Sequence, residues 1–222
     1  MSHFWTLGGR ALWGYGLLLA LVNFTAGTAM AASPLRILAF GDSLTAGYML
    51  AAEDAFPAQL ERALRRDGYQ VSVVNAGVSG DTTADGLARL DWALGDKPTH
   101  VLVELGANDA LRGLDPAFAR DNLDKILGSL RGKNIPFLLG DMLAPRNLGG
   151  EYGRQFDAIF PDLAQKYKVP LYPFFLDGVA QRPGMTLSDG LHPSPQGVAE
   201  IVRRILPLVE SWLGPAPGGK EG

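Results

Sequence analysis

Short apolar segments alternate with longer segments of mixed polarity along most of this chain. Five apolar runs of strand length are separated by amphipathic runs of helix length; they lie at residues 36–40, 71–74, 101–105, 135–140 and 171–174. Continuous apolar strands with helices between them are typical of a parallel sheet that is covered on both faces. The pattern therefore predicts an α/β fold around a five-stranded parallel sheet.

Helix boundaries and strand ends indicate where a site should be sought. Asp115 and Ser194 are each followed by proline, which is the pattern of an N-cap before the first helical residue. Gly68 follows the first long amphipathic run, as expected at the end of a helix. In sheets of this kind, ligands bind where the carboxyl ends of the strands meet the following loops. Those loops are therefore the predicted location of any functional residues.

The first 31 residues differ from the rest of the chain. Arg10 is their only strong base, residues 11–22 are almost wholly apolar, and Ala29, Met30 and Ala31 match a small-residue cleavage site. This pattern predicts a signal peptide at residues 1–31, a domain at residues 32–213 and a flexible Gly- and Pro-rich tail at residues 214–222. The alternative is an uncleaved membrane anchor, because residues 11–32 are about long enough to cross a bilayer of ~30 Å.

Composition narrows the possible functions. The chain has 222 residues, 47% of them apolar, which is enough for one well-filled core. Its net charge of −3, from 20 basic and 23 acidic residues without a basic cluster, does not indicate nucleic acid as a partner. Export would give a periplasmic or secreted monomer with no stable membrane insertion after cleavage.

Metal and cofactor chemistry are not expected from this sequence. There is no cysteine, and only two of the three histidines, His100 and His192, follow the predicted leader. They lie at opposite ends of the predicted sheet, whereas a zinc site needs three or four converging ligands. The glycine spacing of a nucleotide-binding P-loop is also absent.

The loop after the first strand reads "GDSLTAGY" and contains Ser43. A serine just past a strand, at the start of a helix, lies beside backbone N–H groups that can stabilise an oxyanion. Its hydroxyl is a poor nucleophile unless a base removes the proton. This segment alone leaves two interpretations open: Ser43 as a nucleophile, or Asp42 or Ser43 as an ordinary helix cap.

The loop before the last helix reads "LSDGLHPSPQG" and provides a candidate base. His192 standing alone before Pro193 would be interpreted as a surface residue, and Asp189 with Gly190 as a tight turn. Asp189 lies three residues before His192, however, so its carboxylate can accept from one ring nitrogen and leave the other free to act on a serine. The two residues together favour a catalytic pair.

Two further loops, "NAGVSGDTT" and "GANDALRG", contain groups that can donate to an oxyanion. Gly77 has no side chain to keep its N–H away from a substrate. Asn108 has an amide NH₂ that is neutral at every pH. Each also has an ordinary explanation, a turn for Gly77 and a helix cap for Asn108. The remaining acids of these loops and of the third strand are interpreted as hydrogen-bonded structural carboxylates: Asp42, Asp81, Glu104 and Asp109.

Taken in their order and spacing along the chain, these four loop segments together resemble the SGNH (GDSL-type) serine hydrolases. The resemblance covers residues 35–212 and is strongest to the bacterial periplasmic thioesterases, lysophospholipases and arylesterases. The resemblance implies a three-layer, flavodoxin-like fold with strand order 2-1-3-4-5. It also implies that Ser43 is the nucleophile, that His192 is the base and that Asp189 orients the base. The oxyanion hole would consist of the N–H of Ser43, Gly77 and Asn108.

The resemblance predicts serine-dependent hydrolysis of carboxylic esters or thioesters through an acyl-enzyme. The substrate would be a small acyl or aryl ester, an acyl thioester or a lysophospholipid. A groove for the acyl group is predicted from apolar loop residues, although loop packing would explain them equally: Leu111, Met142, Leu143, Ala144 and Pro145. Two other functions stay open. One is a carbohydrate acetylesterase, with Tyr48 and Tyr152 as aromatic platforms, and the other is a non-catalytic cell-envelope binding module, which predicts a missing triad member.

Overall fold

The computed structural model describes residues 34–216, together with Met1 and His3. The predicted signal peptide lies outside these residues apart from Met1 and His3, and so does most of the predicted flexible tail. Residues 34–216 contain a five-stranded parallel sheet in the order β2-β1-β3-β4-β5. The predicted α/β fold and strand order are therefore confirmed. Within residues 34–216, no helix combines the length and apolar character needed to cross a membrane.

The strands follow the predicted runs with small shifts at their ends. They are β1 Leu35–Gly41, β2 Val71–Gly77, β3 His100–Glu104, β4 Phe137–Gly140 and β5 Leu171–Tyr172. Pro136 and Pro173 lie just outside β4 and β5, because proline has no N–H to donate to a neighbouring strand. β2 extends three residues beyond its predicted end and includes Gly77, which changes the interpretation of that glycine.

Eight α-helices connect and cover these strands within the described residues. They are α1 Ser43–Ala46, α2 Phe56–Arg66, α3 Thr83–Ala93, α4 Ala107–Leu111, α5 Pro116–Gly132, α6 Gly150–Asp157, α7 Ile159–Tyr167 and α8 Pro195–Leu213. The predicted N-caps are confirmed: the Asp115 side chain accepts from the Ala117 N–H, and the Ser194 side chain accepts from the Gly197 N–H. α2 packs against α8 and α3 against α5. Val101–Glu104 of β3 and all residues of β4 are buried, as expected for strands covered on both faces.

The register of the sheet brings several loops together at its carboxyl edge. Gly41, the last residue of β1, pairs with Gly77 on one side and with Glu104 on the other. The loops after β1, β2 and β3 therefore start side by side. β4 ends at Gly140 on the same edge and leads into residues 142–145. This edge contains every residue predicted to take part in catalysis except Asp189 and His192, which reach it from the loop before α8.

Candidate active site

Ser43 is the first residue of α1, immediately after the turn that ends β1. Asp42 caps this helix, because its Oδ1 accepts from the Leu44 N–H at 2.9 Å. The Ser43 hydroxyl is instead 2.9 Å from Nε2 of His192. The capping role that the sequence left open therefore belongs to Asp42, and the Ser43 side chain is free for another task.

The catalytic loop, which we define as residues 186–193, brings Asp189 and His192 together locally. A β-bridge between Thr186 and Pro193 closes the loop, and the Leu187 N–H donates to the His192 carbonyl at 2.7 Å. Inside it, Asp189 Oδ1 accepts from the His192 N–H at 3.0 Å, and Asp189 Oδ2 lies 2.6 Å from His192 Nδ1. A carboxylate can only accept, so Nδ1 carries the proton and Nε2 is left to accept from Ser43.

The charge of Asp189 is stabilised by this arrangement. The hydrogen bond from His192, together with the backbone N–H groups of Leu191 and His192, lowers the pKa of Asp189 to about 2. Asp189 is therefore ionised at neutral pH, where it fixes the imidazole tautomer and would stabilise an imidazolium. Asp189, His192 and Ser43 thus form one continuous hydrogen-bonded series that joins positions 149 residues apart in the chain.

Tyr48 covers one side of the His192 ring. The two ring centroids are 4.4 Å apart, with the planes tilted by 35°. The Tyr48 N–H also donates to the Ser43 carbonyl at 3.2 Å, so the backbone of Ser43 helps to position the ring. Tyr48 therefore restricts the orientation of the imidazole from a direction that Asp189 does not control.

Asn108 lies in α4, shortly after β3, and its amide points toward the turn that contains Asp42 and Ser43. Its Nδ2 donates to Asp42 Oδ2 at 3.1 Å and to the Asp81 carbonyl at 2.9 Å. The amide is thereby fixed between the loop after β1 and the loop after β2. A developing oxyanion would compete with these two acceptors for the same N–H groups.

Gly77 does not present a free N–H at the site, contrary to the sequence-based prediction. Its N–H donates to Asn75 Oδ1 at 3.0 Å. A Cβ at position 77 would lie 2.2 Å from the Ala46 nitrogen and 2.8 Å from the Asp42 carbonyl oxygen. Glycine is required here because the end of β2 passes very close to α1, not because its N–H faces a substrate.

Gly80 is a donor that the sequence analysis missed. Within residues 34–216 its N–H has no acceptor, and its φ of +89° is a conformation that glycine adopts readily. The next residue, Asp81, accepts from Asn108 through its carbonyl, so Gly80 lies beside that amide. The segment "NAGVSGDTT" contains both glycines. β2 was predicted to end at residue 74, so Gly77 was placed in the loop and Gly80 was not considered.

Three buried carboxyl groups lie at the carboxyl edge of the sheet. Asp42 and Glu104 are fully buried; Glu104 Oε2 accepts from Thr45 Oγ1 at 2.7 Å, and Glu104 Oε1 has no partner among the described residues. Burial raises the pKa of Asp42 to about 7. Burial, together with the charge of Asp42, raises the pKa of Glu104 well above its usual value, so the pair retains a proton. Burial also raises the pKa of Asp141 to about 7. Within the described part of the chain, no three His, Asp or Glu side chains are arranged to hold a metal ion.

All five residues predicted to form an acyl groove line one cavity of about 470 Å³, together with Ser43, Asn108 and His192. The wall of the cavity is mainly apolar. Part of it comes from the segment after β5, which the sequence analysis did not assign to the site: Phe174, Leu176, Ala180 and Gln181. Phe174 was predicted to be the last residue of the fifth strand, so the loop that begins before it was not assigned to the site.

Comparison with known proteins identifies the family. The model of the GDSL-like Lipase/Acylhydrolase family matches residues 39–199. An arylesterase of Vibrio mimicus is 40% identical over 193 residues, which cover 85% of this chain and 96% of the relative. The Thioesterase 1/protease 1/lysophospholipase L1 of Escherichia coli strain K12 is 42% identical over 200 residues, covering 89% of this chain and 88% of the relative.

Solved structures agree with this match. The crystal structure of AlinE4, described as an SGNH-hydrolase family esterase, is 50% identical in sequence and superposes with a TM-score of 0.69. The superposition covers 83% of this chain and 99% of AlinE4. The Ser43 turn, the Asn108 loop and the catalytic loop all fall within the residues that the family model matches. The chain therefore belongs to the GDSL-like lipase/acylhydrolase family, the SGNH hydrolases.

Proposed function

We propose that this protein hydrolyses carboxylic esters and thioesters through an acyl-enzyme formed on Ser43. The observation that carries the proposal is the series Asp189, His192 and Ser43, with distances of 2.6 Å and 2.9 Å, at the wall of an apolar cavity. Relatives named arylesterase and thioesterase support the same reaction class. A non-catalytic binding module is disfavoured because no triad member is missing.

In the first half of the reaction, Ser43 Oγ attacks the carbonyl carbon of the ester as His192 Nε2 takes its proton. The carbonyl oxygen becomes an oxyanion, and the imidazolium is stabilised by Asp189. The N–H groups of Ser43 and Gly80 have no acceptor among the described residues and can bind the oxyanion. Asn108 Nδ2 is the third donor, and it must weaken its bonds to Asp42 and Asp81 as the negative charge develops.

In the second half, the tetrahedral intermediate collapses and the bond to the leaving group breaks. His192 returns the proton to the departing alcohol or thiol, which leaves Ser43 acylated. Water then attacks the acyl carbon while His192 Nε2 accepts a proton from it. Collapse of this second intermediate releases the carboxylic acid and restores the Ser43 hydroxyl.

The walls of the cavity favour an acyl or aryl group over a sugar. Both tyrosines that could act as carbohydrate platforms are engaged within the protein. Tyr48 packs on the His192 ring, and Tyr152 stacks parallel to Phe156 while its hydroxyl donates to the Leu114 carbonyl at 2.8 Å. A carbohydrate acetylesterase would need aromatic faces that are open to the substrate. The apolar cavity instead supports a small acyl ester, an aryl ester or a lysophospholipid.

A chain-length series tests this function. The full chain should hydrolyse p-nitrophenyl esters from acetyl to palmitoyl and release little acetate from acetylated xylan. Ser43→Ala should lower kcat by roughly 10⁴-fold or more. Wild-type turnover in that variant would exclude the acyl-enzyme, and efficient deacetylation of xylan with poor hydrolysis of longer acyl esters would favour the carbohydrate esterase.

Leu111 at the end of α4 and Leu114 in the following loop provide a matched test of the acyl cavity. Leu111 lines the cavity, whereas Leu114 is also exposed but does not line it. Leu111→Ala should raise the KM for a long acyl ester about threefold to tenfold, because about 1 kcal/mol of apolar contact is lost. Leu114→Ala should leave that KM unchanged. Equal effects of the two variants would contradict this placement of the acyl chain.

We also propose that residues 1–31 are a signal peptide and that the mature enzyme is a periplasmic or secreted monomer. Arg10, the apolar run and the small residues at 29–31 support this proposal. Expression of the full gene in a Gram-negative host, followed by intact-mass measurement of the periplasmic fraction, should give a chain shortened by the leader. An uncleaved, membrane-bound product would favour the anchor instead, and size-exclusion chromatography with light scattering would check the monomer.

A further inference from the structure

We propose that Arg89 is a positioning residue that aligns the oxyanion donors with Ser43, an inference that rests on the proposed function. Arg89 lies on α3 and does not line the active-site cavity. Its side chain is only 16% exposed, although arginine is almost never deeply buried unless it is paired. The sequence analysis had assigned no role to it.

The guanidinium of Arg89 bonds to three separate segments at the carboxyl edge of the sheet. Its Nη2 donates to the Gly41 carbonyl at 2.8 Å, and its Nη1 donates to the Ala76 carbonyl at 2.9 Å. Its Nε donates to Asp81 Oδ2 at 2.5 Å. The group also lies 4.3 Å from the centre of the Phe40 ring. One planar side chain therefore joins the ends of β1 and β2 to the loop that contains Gly80.

These bonds complete a closed ring of interactions around the oxyanion donors. Gly41 precedes Asp42, and Asp42 Oδ2 accepts from Asn108. Asn108 donates to the Asp81 carbonyl, and the Asp81 carboxylate accepts from Arg89, which returns to Gly41. We call these four side chains the oxyanion cluster: Asp42, Asp81, Arg89 and Asn108.

The ring fixes the three proposed donors relative to one another. The Ser43 N–H is two residues after Gly41, and the Gly80 N–H is one residue before Asp81. Oxyanion donors act at about 2.7–3.1 Å, and a shift of about 1 Å can cost roughly a hundredfold in rate. Loss of the guanidinium would free the Gly41 carbonyl and the loop at Asp81 to move independently.

Lysine cannot reproduce this geometry. Arginine donates through a rigid, planar fork in several fixed directions, whereas a lysine ammonium is a compact charge on a flexible stem. Lysine at position 89 could retain the ion pair with Asp81 but could not also reach the carbonyls of Gly41 and Ala76 in the same way. An Arg89→Lys variant therefore keeps the positive charge but loses the hydrogen bonds that join the three segments.

The test uses the full chain and counts active sites before measuring rates. Arg89→Ala, Arg89→Lys and the control Arg120→Ala are each labelled to completion with a fluorophosphonate, and kcat is expressed per labelled site. Arg120 is a suitable control because it pairs with Asp162 at an exposed position. We expect kcat per site to fall roughly tenfold to a hundredfold in Arg89→Ala, with KM within about threefold of wild type. The kcat per site of Arg89→Lys should lie between the values for wild type and Arg89→Ala, and that of Arg120→Ala should match wild type.

Two further readouts distinguish positioning from a general loss of stability. Methylguanidinium added to Arg89→Ala should restore part of the lost kcat and should not change Arg120→Ala. In an Asn108→Ala background, the Arg89→Ala change should cost clearly less than in wild type, because both changes disturb the same group. If Arg89→Ala does not fold, Arg89→Lys is measured in both backgrounds.

The inference would be overturned if kcat per labelled site were unchanged in Arg89→Ala, or in Arg89→Lys where only that variant folds. Equal costs in the wild-type and Asn108→Ala backgrounds would also overturn it. Failure of the proposed function has a different signature, since it would leave Ser43 unlabelled in wild type and Ser43→Ala active. A labelled Ser43 with an inactive Ser43→Ala variant, together with an unaffected Arg89→Ala, would remove only this inference.

Discussion

The catalytic loop and the oxyanion cluster both meet at the turn that contains Ser43, but they are built in different ways. In the catalytic loop, Asp189 and His192 are three residues apart and bond within a single bridged turn near the surface. In the oxyanion cluster, Asp42, Asp81, Arg89 and Asn108 come from four different segments and are largely buried. The pairing of the base with Asp189 thus depends on local geometry, whereas oxyanion stabilisation depends on long-range packing.

This difference has an energetic consequence. Removing a partly exposed side chain from a loop leaves few groups unsatisfied, so the folded state loses little stability. Removing one member of a buried hydrogen-bonded network leaves its partners without donors or acceptors, which costs about 1–3 kcal/mol for each neutral group. Variants of the catalytic loop should therefore lose activity alone, and variants of the oxyanion cluster should lose activity and stability together.

The largest expected effect is in the catalytic loop. His192→Ala should lower kcat by about 10⁴-fold or more, because Ser43 loses the base that accepts its proton. The melting temperature should change little, since the His192 side chain is partly exposed and most of its hydrogen bonds stay within the catalytic loop. Steady-state kinetics and thermal unfolding check both parts, and a large fall in melting temperature would show that the loop is not energetically separate.

Asn108→Ala should have the next largest effect and should differ in kind. We expect kcat to fall about 10²- to 10³-fold, because one oxyanion donor is lost. The melting temperature should also fall, because Asp42 Oδ2 and the Asp81 carbonyl lose their donor. Asn147→Ala, at an exposed position in the loop after β4, is the matched control and should change neither quantity. A melting temperature equal to wild type in Asn108→Ala would contradict the contrast drawn above.

A smaller effect is expected at Tyr48, which packs on the ring of His192. Tyr48→Ala should lower kcat about twofold to tenfold, since an aromatic contact of about 0.5–1.5 kcal/mol that orients the imidazole is lost. Tyr48→Phe retains the ring and should behave like wild type. If Tyr48→Phe were as impaired as Tyr48→Ala, the hydroxyl and not the ring would be the important group.

Glu104→Gln should have the smallest effect on activity. Its main effect should be on how the free energy of unfolding depends on pH. The folded state raises the pKa of Glu104 by burial, so above the usual pKa of a glutamate it retains a proton that the unfolded chain releases. The free energy of unfolding of the wild type should therefore fall as pH rises from the usual pKa of a glutamate to the raised pKa of the folded state. Glu104→Gln does not titrate, so its stability relative to wild type should increase from pH ~5 to pH ~8.

Urea unfolding at both pH values measures this difference. Glu151→Gln is the control: hydrogen bonds from Gln155 and Arg154 lower the pKa of the exposed Glu151, so it is ionised in both states above pH ~5. Its stability relative to wild type should not change between the two pH values. A stability difference for Glu104→Gln that stays constant or shrinks as pH rises would mean that the folded protein holds Glu104 ionised.

The same contrast explains what could be predicted from the sequence. Four site residues lie in short motifs whose residue types already suggest their chemistry: Ser43, Asn108, Asp189 and His192. The five apolar runs predicted a five-stranded parallel sheet, and the family resemblance implied the strand order. Gly77 was predicted as a donor because β2 was expected to end at residue 74, whereas pairing with β1 extends β2 to Gly77.

Arg89 could not be found from its neighbours in the chain. Its most informative partner, Gly41, lies 48 residues away, and nothing in the surrounding helical segment indicates that its side chain reaches the end of β1. The same holds for the cavity wall formed after β5, where an apolar run was interpreted as a strand. Long-range contacts of single side chains were the part of the site that required three-dimensional information.

The most direct test of the central claim is the reaction of the full chain with a fluorophosphonate, followed by peptide mass spectrometry. The account predicts a single phosphonyl group on Ser43, formed rapidly in wild type, formed far more slowly in His192→Ala and absent in Ser43→Ala. An unlabelled wild-type protein, or a label at another residue, would contradict the assignment of Ser43 as the activated nucleophile.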